Sequence, residues 1–358
     1  MVEVQDIFRG NIYAYRQKHA LSLDQAKAVK ALLSCRTSAL GAHVDACDEC
    51  EFERISYNSC RNRHCPKCQA FAKEQWIEKR QNNLMNTQYF HAVFTVPDDL
   101  NSVFYQNQRQ LYGLFFKAVS ETLMELCADK KYLGATPGIT AVLHTRGQNL
   151  CYHPHLHCIV TGGGLADGNR WVSSRKKFFI PVKVLSRKFR GKFLCFLKKE
   201  GLALDDNLYR KEWVVYCKKP FGNAGQVISY LGRYTHRVAI SNNRITAFEN
   251  GRVSFKYKDY KDAGRTKSMS LSANEFMRRF LMHVLPRGFW KIRHYGLFAS
   301  RNKIKKLALC KKLTHTKTGI NKKIPALEKL SAILGEDFNL CPRCKIGHLI
   351  RDAPTSSA

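Results

Sequence analysis

The sequence predicts an α+β or α/β protein with a metal module ahead of its sheet, on three observations. From residue 91 onward, short β-type runs alternate with helical stretches. Upstream of that point, seven cysteines and histidines crowd between His43 and Cys68 at knuckle spacing. Finally, 60 Lys and Arg stand against 28 Asp and Glu, a net charge of +32 that repels itself in a folded chain and calls for a polyanionic partner. At ~150 residues per domain, 358 residues make two or three domains, and 44% apolar residues exclude wholesale disorder.

Residues 6–19 carry Ile7, Ile12 and Tyr15 at helical spacing, and Ser22 is placed to cap a second helix with Leu23, Ala26, Val29, Leu32 and Leu33. After the cysteine-rich stretch, residues 71–84 read as a helix. Strands are predicted at residues 91–96, 139–143, 155–160 and 213–216, and helices at 111–126, 184–197 and 226–238. The pair 245–248 and 253–257 forms a hairpin, because Asn250-Gly251 suits its turn. From about Ser268 an apolar-faced helix with Phe276, Phe280, Leu281 and Val284 follows, broken by Pro286 and Gly288. The expected division is 1–84, an N-terminal helical and zinc-binding part; 85–268, a catalytic part; and 269–358, a basic C-terminal region.

No run approaches the ~18 apolar residues of a membrane span, and Met1-Val2-Glu3-Val4-Gln5-Asp6 has no signal-peptide layout. A cytoplasmic protein is therefore expected, in which 14 cysteines favour metal over disulfides. Cys127, Cys151, Cys158, Cys195 and Cys217 lie in apolar stretches and read as small core residues. Two acid-free stretches, residues 170–199 and 291–323, hold eleven Lys/Arg each, which favours phosphate contacts. Phe189 and Phe193 fall in line with Leu185, which favours core packing over base stacking.

In the metal module, Cys47-x2-Cys50 and Cys65-x2-Cys68 are two knuckles, each able to turn two thiolates onto one tetrahedral ion. Together they are expected to make one closed structural zinc site, leaving His43, Cys60 and His64 for a second site or for other work. Arg54, Arg61, Arg63 and Lys67 on this frame are candidates for DNA phosphates. A further knuckle, Cys341-x2-Cys344 with His348 behind it, is half a site; Cys310, His315 or another chain could complete it.

His153-Pro154-His155-Leu156-His157 lies in a β-type run, where a period of two puts His155 and His157 on one face with Leu156 turned to the core. Two imidazoles then converge on one ion, and Gly162-Gly163-Gly164 allow close backbone approach. Downstream, Tyr230 and Tyr234 lie one helical turn apart, as do Arg233 and Arg237. Taken alone, such a pair is ordinary packing. Beside a histidine strand and this charge, a tyrosine is a candidate nucleophile for a DNA phosphate.

The run from His153 to Gly164, preceded by residues 143–150, followed by Tyr230-Leu231-Gly232-Arg233-Tyr234 and headed by residues 60–68, resembles the insertion sequence 91 family of two-tyrosine rolling-circle transposases. The resemblance implies an α+β fold. It would contain a single-strand endonuclease domain of the His-hydrophobe-His class, an antiparallel sheet with helices and a central histidine strand, after a helical zinc-ribbon-like domain. It further implies His155 and His157 as ligands of a catalytic Mg²⁺ or Mn²⁺, with His144, then Gln148, then His153 as third-ligand candidates. Tyr230 and Tyr234 would be the nucleophiles, and Arg233 and Arg237 cations able to stabilise charge on the phenolate or phosphate. The implied partners are single-stranded DNA at element ends and targets, and a host helicase or replication, since no Gly-x4-Gly-Lys-Ser/Thr loop is present. Competing readings are a replication initiator or relaxase of the same chemistry, a metal-dependent hydrolase, and a non-catalytic zinc DNA-binding protein.

Overall fold

The computed structural model describes residues 2–175, 179–218, 221, 226–227, 232, 239–260, 262–300, 303–317, 331, 337 and 339–351. Two helices open the chain, α1 (Val4–Lys18) and α2 (Leu23–Ser34). The Ser22 hydroxyl accepts from the Gln25 N–H while the Gln25 side chain accepts from the Ser22 N–H, a reciprocal cap that starts α2 where the sequence predicts it. A hairpin of β1 (Ala42–Cys47) and β2 (Glu53–Tyr57) follows. Helix α3 (Pro66–Gln81) begins directly after Cys65, ahead of the expected residue 71, because Pro66 suits the first helical turn.

The central part runs β3 (Tyr89–Thr95), α4 (Asn101–Gln106), α5 (Gln108–Ala128), β4 (Thr136–Arg146), β5 (Tyr152–Ala166), β6 (Arg170–Ser173), α6 (Val182–Lys199), α7 (Asn207–Arg210) and β7 (Val215–Lys218). After it come β8 (Ile245–Glu249), β9 (Arg252–Asp259), β10 (Arg265–Ser272), α8 (Ala273–Met282), β11 (Ile292–Gly296), α9 (Lys303–Leu313) and β12 (Leu349–Arg351). Ser268 thus lies inside β10, and Ser272 caps the helix expected to start near it. Asn250 and Gly251 both take positive φ, the conformation that closes a two-residue hairpin with the right twist.

Every strand pair of the main sheet is antiparallel, in the order β11-β4-β5-β3-β7 with β6 on the far half of β5, which decides for α+β over α/β. The period of two then sorts the side chains. Phe90, Ala92 and Phe94 of β3, Ile139, Ala141 and Leu143 of β4, and Leu156, Cys158 and Val160 of β5 share one apolar core with α5 and α6. Phe189 and Phe193 are fully buried in it, so these aromatics serve packing and not base stacking. The opposite face carries His91, Thr140, Val142, His144, His155, His157 and Ile159.

A second core joins α1 and α2 to β8, β9 and α8, with Phe8 edge-on to Phe280 at 5.2 Å. This packing crosses residues 84 and 268, where the sequence predicts divisions. The third sheet, β12-β1-β2, pairs Cys47 with Leu349 and so ties the far end of the chain to the first hairpin. Cys127 and Cys158 are buried as expected, whereas Cys151 and Cys195 are exposed.

Candidate metal centres and the histidine face

Eight cysteines gather into two groups of four. Cys35, Cys60, Cys65 and Cys68 form one, and Cys47, Cys50, Cys341 and Cys344 the other. Sulfur separations are 3.6 Å for Cys35–Cys68, Cys60–Cys68 and Cys35–Cys65, and 3.7 Å for Cys47–Cys344 and Cys50–Cys341. Four thiolates at ~2.3 Å from a tetrahedral ion lie ~3.8 Å apart, whereas a disulfide needs ~2.05 Å, so both donor sets fit zinc.

The expected site of Cys47, Cys50, Cys65 and Cys68 is therefore corrected: its two knuckles belong to different groups. Cys47-x2-Cys50 on the β1–β2 hairpin finds its partner knuckle in Cys341-x2-Cys344, brought over by the β1–β12 pairing. Cys65-x2-Cys68 at the start of α3 takes Cys60 and Cys35, the residue that ends α2. Sequence reasoning missed Cys35.

His43 and His64 join neither group. The Arg351 guanidinium donates to His43 Nε2 at 2.6 Å. His64 Nε2 accepts the Leu285 N–H at 3.1 Å while its Nδ1 faces Asn62 Oδ1 at 3.1 Å, a neutral structural histidine. Cys310 and His315 also stand outside the Cys341 group. Of the four cations on the frame, Arg54 pairs with Asp45, Lys67 with Glu3 and Gln5, and Arg63 donates to the carbonyls of Leu285, Pro286 and Phe289. Three of the four candidate phosphate contacts are thus engaged within the protein, Arg54 across the β1–β2 hairpin and Arg63 and Lys67 against neighbouring segments.

On the histidine face, His144, His155 and His157 bring one ring nitrogen each within 4.8 Å of the others. His144 and His155 are direct cross-strand partners, and His157 follows two residues on, so the register alone makes the three converge. His155 Nδ1–H donates to the His153 carbonyl at 2.7 Å, which leaves Nε2 as the free lone pair. His157 Nδ1 meets His91 Nε2 at 2.9 Å, with the two rings stacked. His91 is a second residue that the sequence reading passed over; its place on β3, beside the histidine strand and on the same face, is visible only once strands are paired. Burial, foremost, pushes His155 down to about 3 and His157 well below the usual imidazole range. These imidazoles are therefore available as neutral ligands near pH 7. His153 is turned away toward Asp98, and the backbone carbonyl of Gln148 accepts from the Arg244 guanidinium.

Gly162, Gly163 and Gly164 face Gln88, Trp171 and Thr136 at distances that no Cβ would fit, so this run serves internal packing and not approach to a ligand. Tyr230, Arg233, Tyr234 and Arg237 lie outside the described residues. Two residues of their segment are described. Val227 packs with Val142 and Ile159 on the histidine face, and Gly232 abuts Ile77 of α3 so closely that a Cβ would clash.

His64 and His283 give the fold an acid sensitivity of its own, since burial pushes both down to about 3. A depressed folded value means that the unfolded chain binds more protons below ~6.5, so this stability is intact above that pH and is lost as pH falls toward 3. Between pH 6.5 and 5 the two together are expected to cost about 3 kcal/mol, read as a drop in the urea midpoint. His283→Asn should remove about 1.5 kcal/mol of the total difference, to which His91, His155, His157 and His294, pushed down by burial as well, also add, and equal midpoints at both pH values would contradict the account.

A family model described as "Transposase zinc-binding domain" matches residues 7–96, and one described as "Putative transposase" matches residues 138–306. The chain is similar to "Putative transposase y4qJ" of Sinorhizobium fredii, 46% identical over 97% of this chain and 94% of that protein. It is also similar to "Transposase for insertion sequence element IS801" of Pseudomonas savastanoi pv. phaseolicola, 29% identical over 77% of this chain and 71% of that protein. No solved structure matches it. Among the described residues, no helix is long and apolar enough to cross a membrane.

Proposed function

The chain belongs to the IS91 family of transposases, and from that premise we propose that it cuts and rejoins single-stranded DNA through 5′-phosphotyrosine links in rolling-circle transposition. The observation that carries the reading is the trio His144, His155 and His157 on a central antiparallel strand pair, with Val227 of the tyrosine segment packed on the same face. The fold would then be the single-strand endonuclease fold of the His-hydrophobe-His class, acting on element ends at the bacterial nucleoid, with strand separation left to host helicase or replication. The divisions at residues 84 and 268 describe tasks, namely metal module, catalytic sheet and basic tail, laid over shared packing.

Three neutral imidazoles fit a divalent ion, which when bound supplies Lewis-acid polarisation of the scissile phosphate. An all-nitrogen set suits Mn²⁺ better than Mg²⁺, which prefers oxygen. One tyrosine oxygen attacks phosphorus; the P–O3′ bond breaks, the 3′-oxygen takes up a proton and the 5′-phosphate stays on the tyrosine. Since one phosphodiester replaces another, the bond energy is kept for rejoining, and the second tyrosine serves the other end or the target. A free phenol of pKa ~10 is protonated near pH 7, so Arg233 and Arg237 are assigned the charge that develops during attack. The two four-cysteine groups hold zinc and fix the frame.

The test is capture of labelled single-stranded DNA from element ends as a band that survives denaturing electrophoresis. It should require added Mn²⁺ or Mg²⁺ and fall at least ~100-fold in His157→Ala, with zinc content and DNA binding retained. Capture by His157→Ala at the wild-type level would sink the reading.

A further inference from the structure

His91 lies on β3, outside the trio whose ring nitrogens converge, and no step described above uses it. The β3–β5 register sets His91 opposite Ile159 and Val93 opposite His157, so the two imidazoles are diagonal neighbours on one face of the sheet. His91 is 1% exposed and His157 7%. They meet at 2.9 Å between His91 Nε2 and His157 Nδ1, with ring planes 5° from parallel and centroids 5.1 Å apart. That separation is close to the greatest that such a nitrogen contact allows, so the contact follows the direction in which an imidazole N–H or lone pair points. An apolar ring in place of His91 would fill the same space without burying two more ring nitrogens, so packing alone does not account for it.

Only one of two neutral imidazoles joined in this way donates, and which one decides what the trio can hold. If His91 donates, His157 keeps its proton on Nε2, where it blocks coordination. If His157 donates Nδ1–H, its Nε2 retains the lone pair for an ion shared with His144 and His155. His155 is arranged in the second way, with Nδ1–H given to the His153 carbonyl at 2.7 Å. Both histidines of the strand thus have an acceptor behind Nδ1, one supplied by the backbone and the other by His91. Ligating histidines are often backed by a carboxylate, yet the strand residues on this face include no Asp or Glu. An uncharged acceptor leaves the positive charge of the ion undiminished toward a phosphodiester, which a carboxylate in its place would repel.

We propose that His91 is a positioning residue: by accepting His157 Nδ1–H it holds that ligand in the tautomer and ring orientation that a divalent ion requires, and it adds no charge to the site. This deepens the function proposed above and rests on its metal site. No covalent step is involved.

The experiment uses the zinc-loaded full chain without DNA, so that metal binding is read and not strand cleavage. Binding of Mn²⁺ is followed by electron paramagnetic resonance. His91→Phe keeps a ring and loses the acceptor; it is expected to weaken Mn²⁺ binding by about 10- to 100-fold at unchanged zinc content. His91→Gln, whose Oε1 stands in for Nε2, should recover most of that loss. Because a substitution at a buried site can disturb folding, the wild-type chain supplies a second readout. With ¹⁵N-labelled histidine, and the trio filled by Zn²⁺ added beyond the two structural ions, His157 should carry its proton on Nδ1 and show a scalar coupling across the hydrogen bond to His91 Nε2. Wild-type Mn²⁺ affinity in His91→Phe overturns the proposal, as does a loss that His91→Gln does not recover. So does a wild-type spectrum in which His157 binds through Nδ1 or shows no coupling to His91. In each of these cases the proposed function stands if His157→Ala abolishes Mn²⁺ binding. Mn²⁺ binding that neither His91→Phe nor His157→Ala alters overturns the two together.

Discussion

Exchange of both Tyr230 and Tyr234 for Phe is expected to abolish covalent capture of single-stranded DNA, with strand cleavage down by at least about 10³-fold. Phe keeps the ring and loses only the oxygen that attacks. Zinc content, thermal midpoint and equilibrium DNA binding should therefore stay at wild-type values. The single exchanges rank the two hydroxyls. If one alone removes capture, that tyrosine makes the first cut; if either suffices, the two are interchangeable on the substrate used. Capture that persists in the double variant would rule out tyrosine chemistry, whatever becomes of the metal sites.

The second large effect concerns the cysteines. Two groups of four thiolates predict two zinc ions per chain by elemental analysis, where the sequence reading expected one closed site and left a second open. Cys344→Ser is expected to lower the count to one and Cys35→Ser likewise, while Cys151→Ser, at an exposed cysteine outside both groups, leaves two. Zinc binding to such sites is worth on the order of 10 kcal/mol, so removing both ions with a strong chelator should unfold the hairpin and its attachments well below the wild-type midpoint. A chain holding a single ion, undisturbed by Cys344→Ser, would contradict the second group.

What was legible in the sequence, and what was not, follows from the range of the forces involved. Local signals read true: the Ser22 cap, the Asn250-Gly251 turn, and the alternation that turns Leu156 inward and His155 and His157 outward all depend on residues a few positions apart. His144 was within reach because it ends a β-type run, although only the β4–β5 register sets it opposite His155. The knuckles show where the reading gave out. Spacing says that Cys47 and Cys50 bind together, but not which second knuckle they meet, and the nearest in sequence loses to one 291 residues away because β12 pairs with β1. Cys35 and His91 were missed for the same reason. Each acquires its role from a neighbour supplied by tertiary structure, and neither lies in a motif.

The long reach of the Cys47–Cys50–Cys341–Cys344 group has a consequence for biosynthesis. The group of Cys35, Cys60, Cys65 and Cys68 has all its donors within the first fifth of the chain and can be metallated while translation continues. The other cannot close until Cys341 and Cys344 leave the ribosome, which at about 5–20 residues per second is roughly 15–60 s after Cys50 has emerged. For that interval the first hairpin carries two unsatisfied thiols and an open β1 edge. A nascent or prematurely terminated polypeptide is thereby marked as unfinished, exposed to chaperones and proteases until its own tail arrives to seal it.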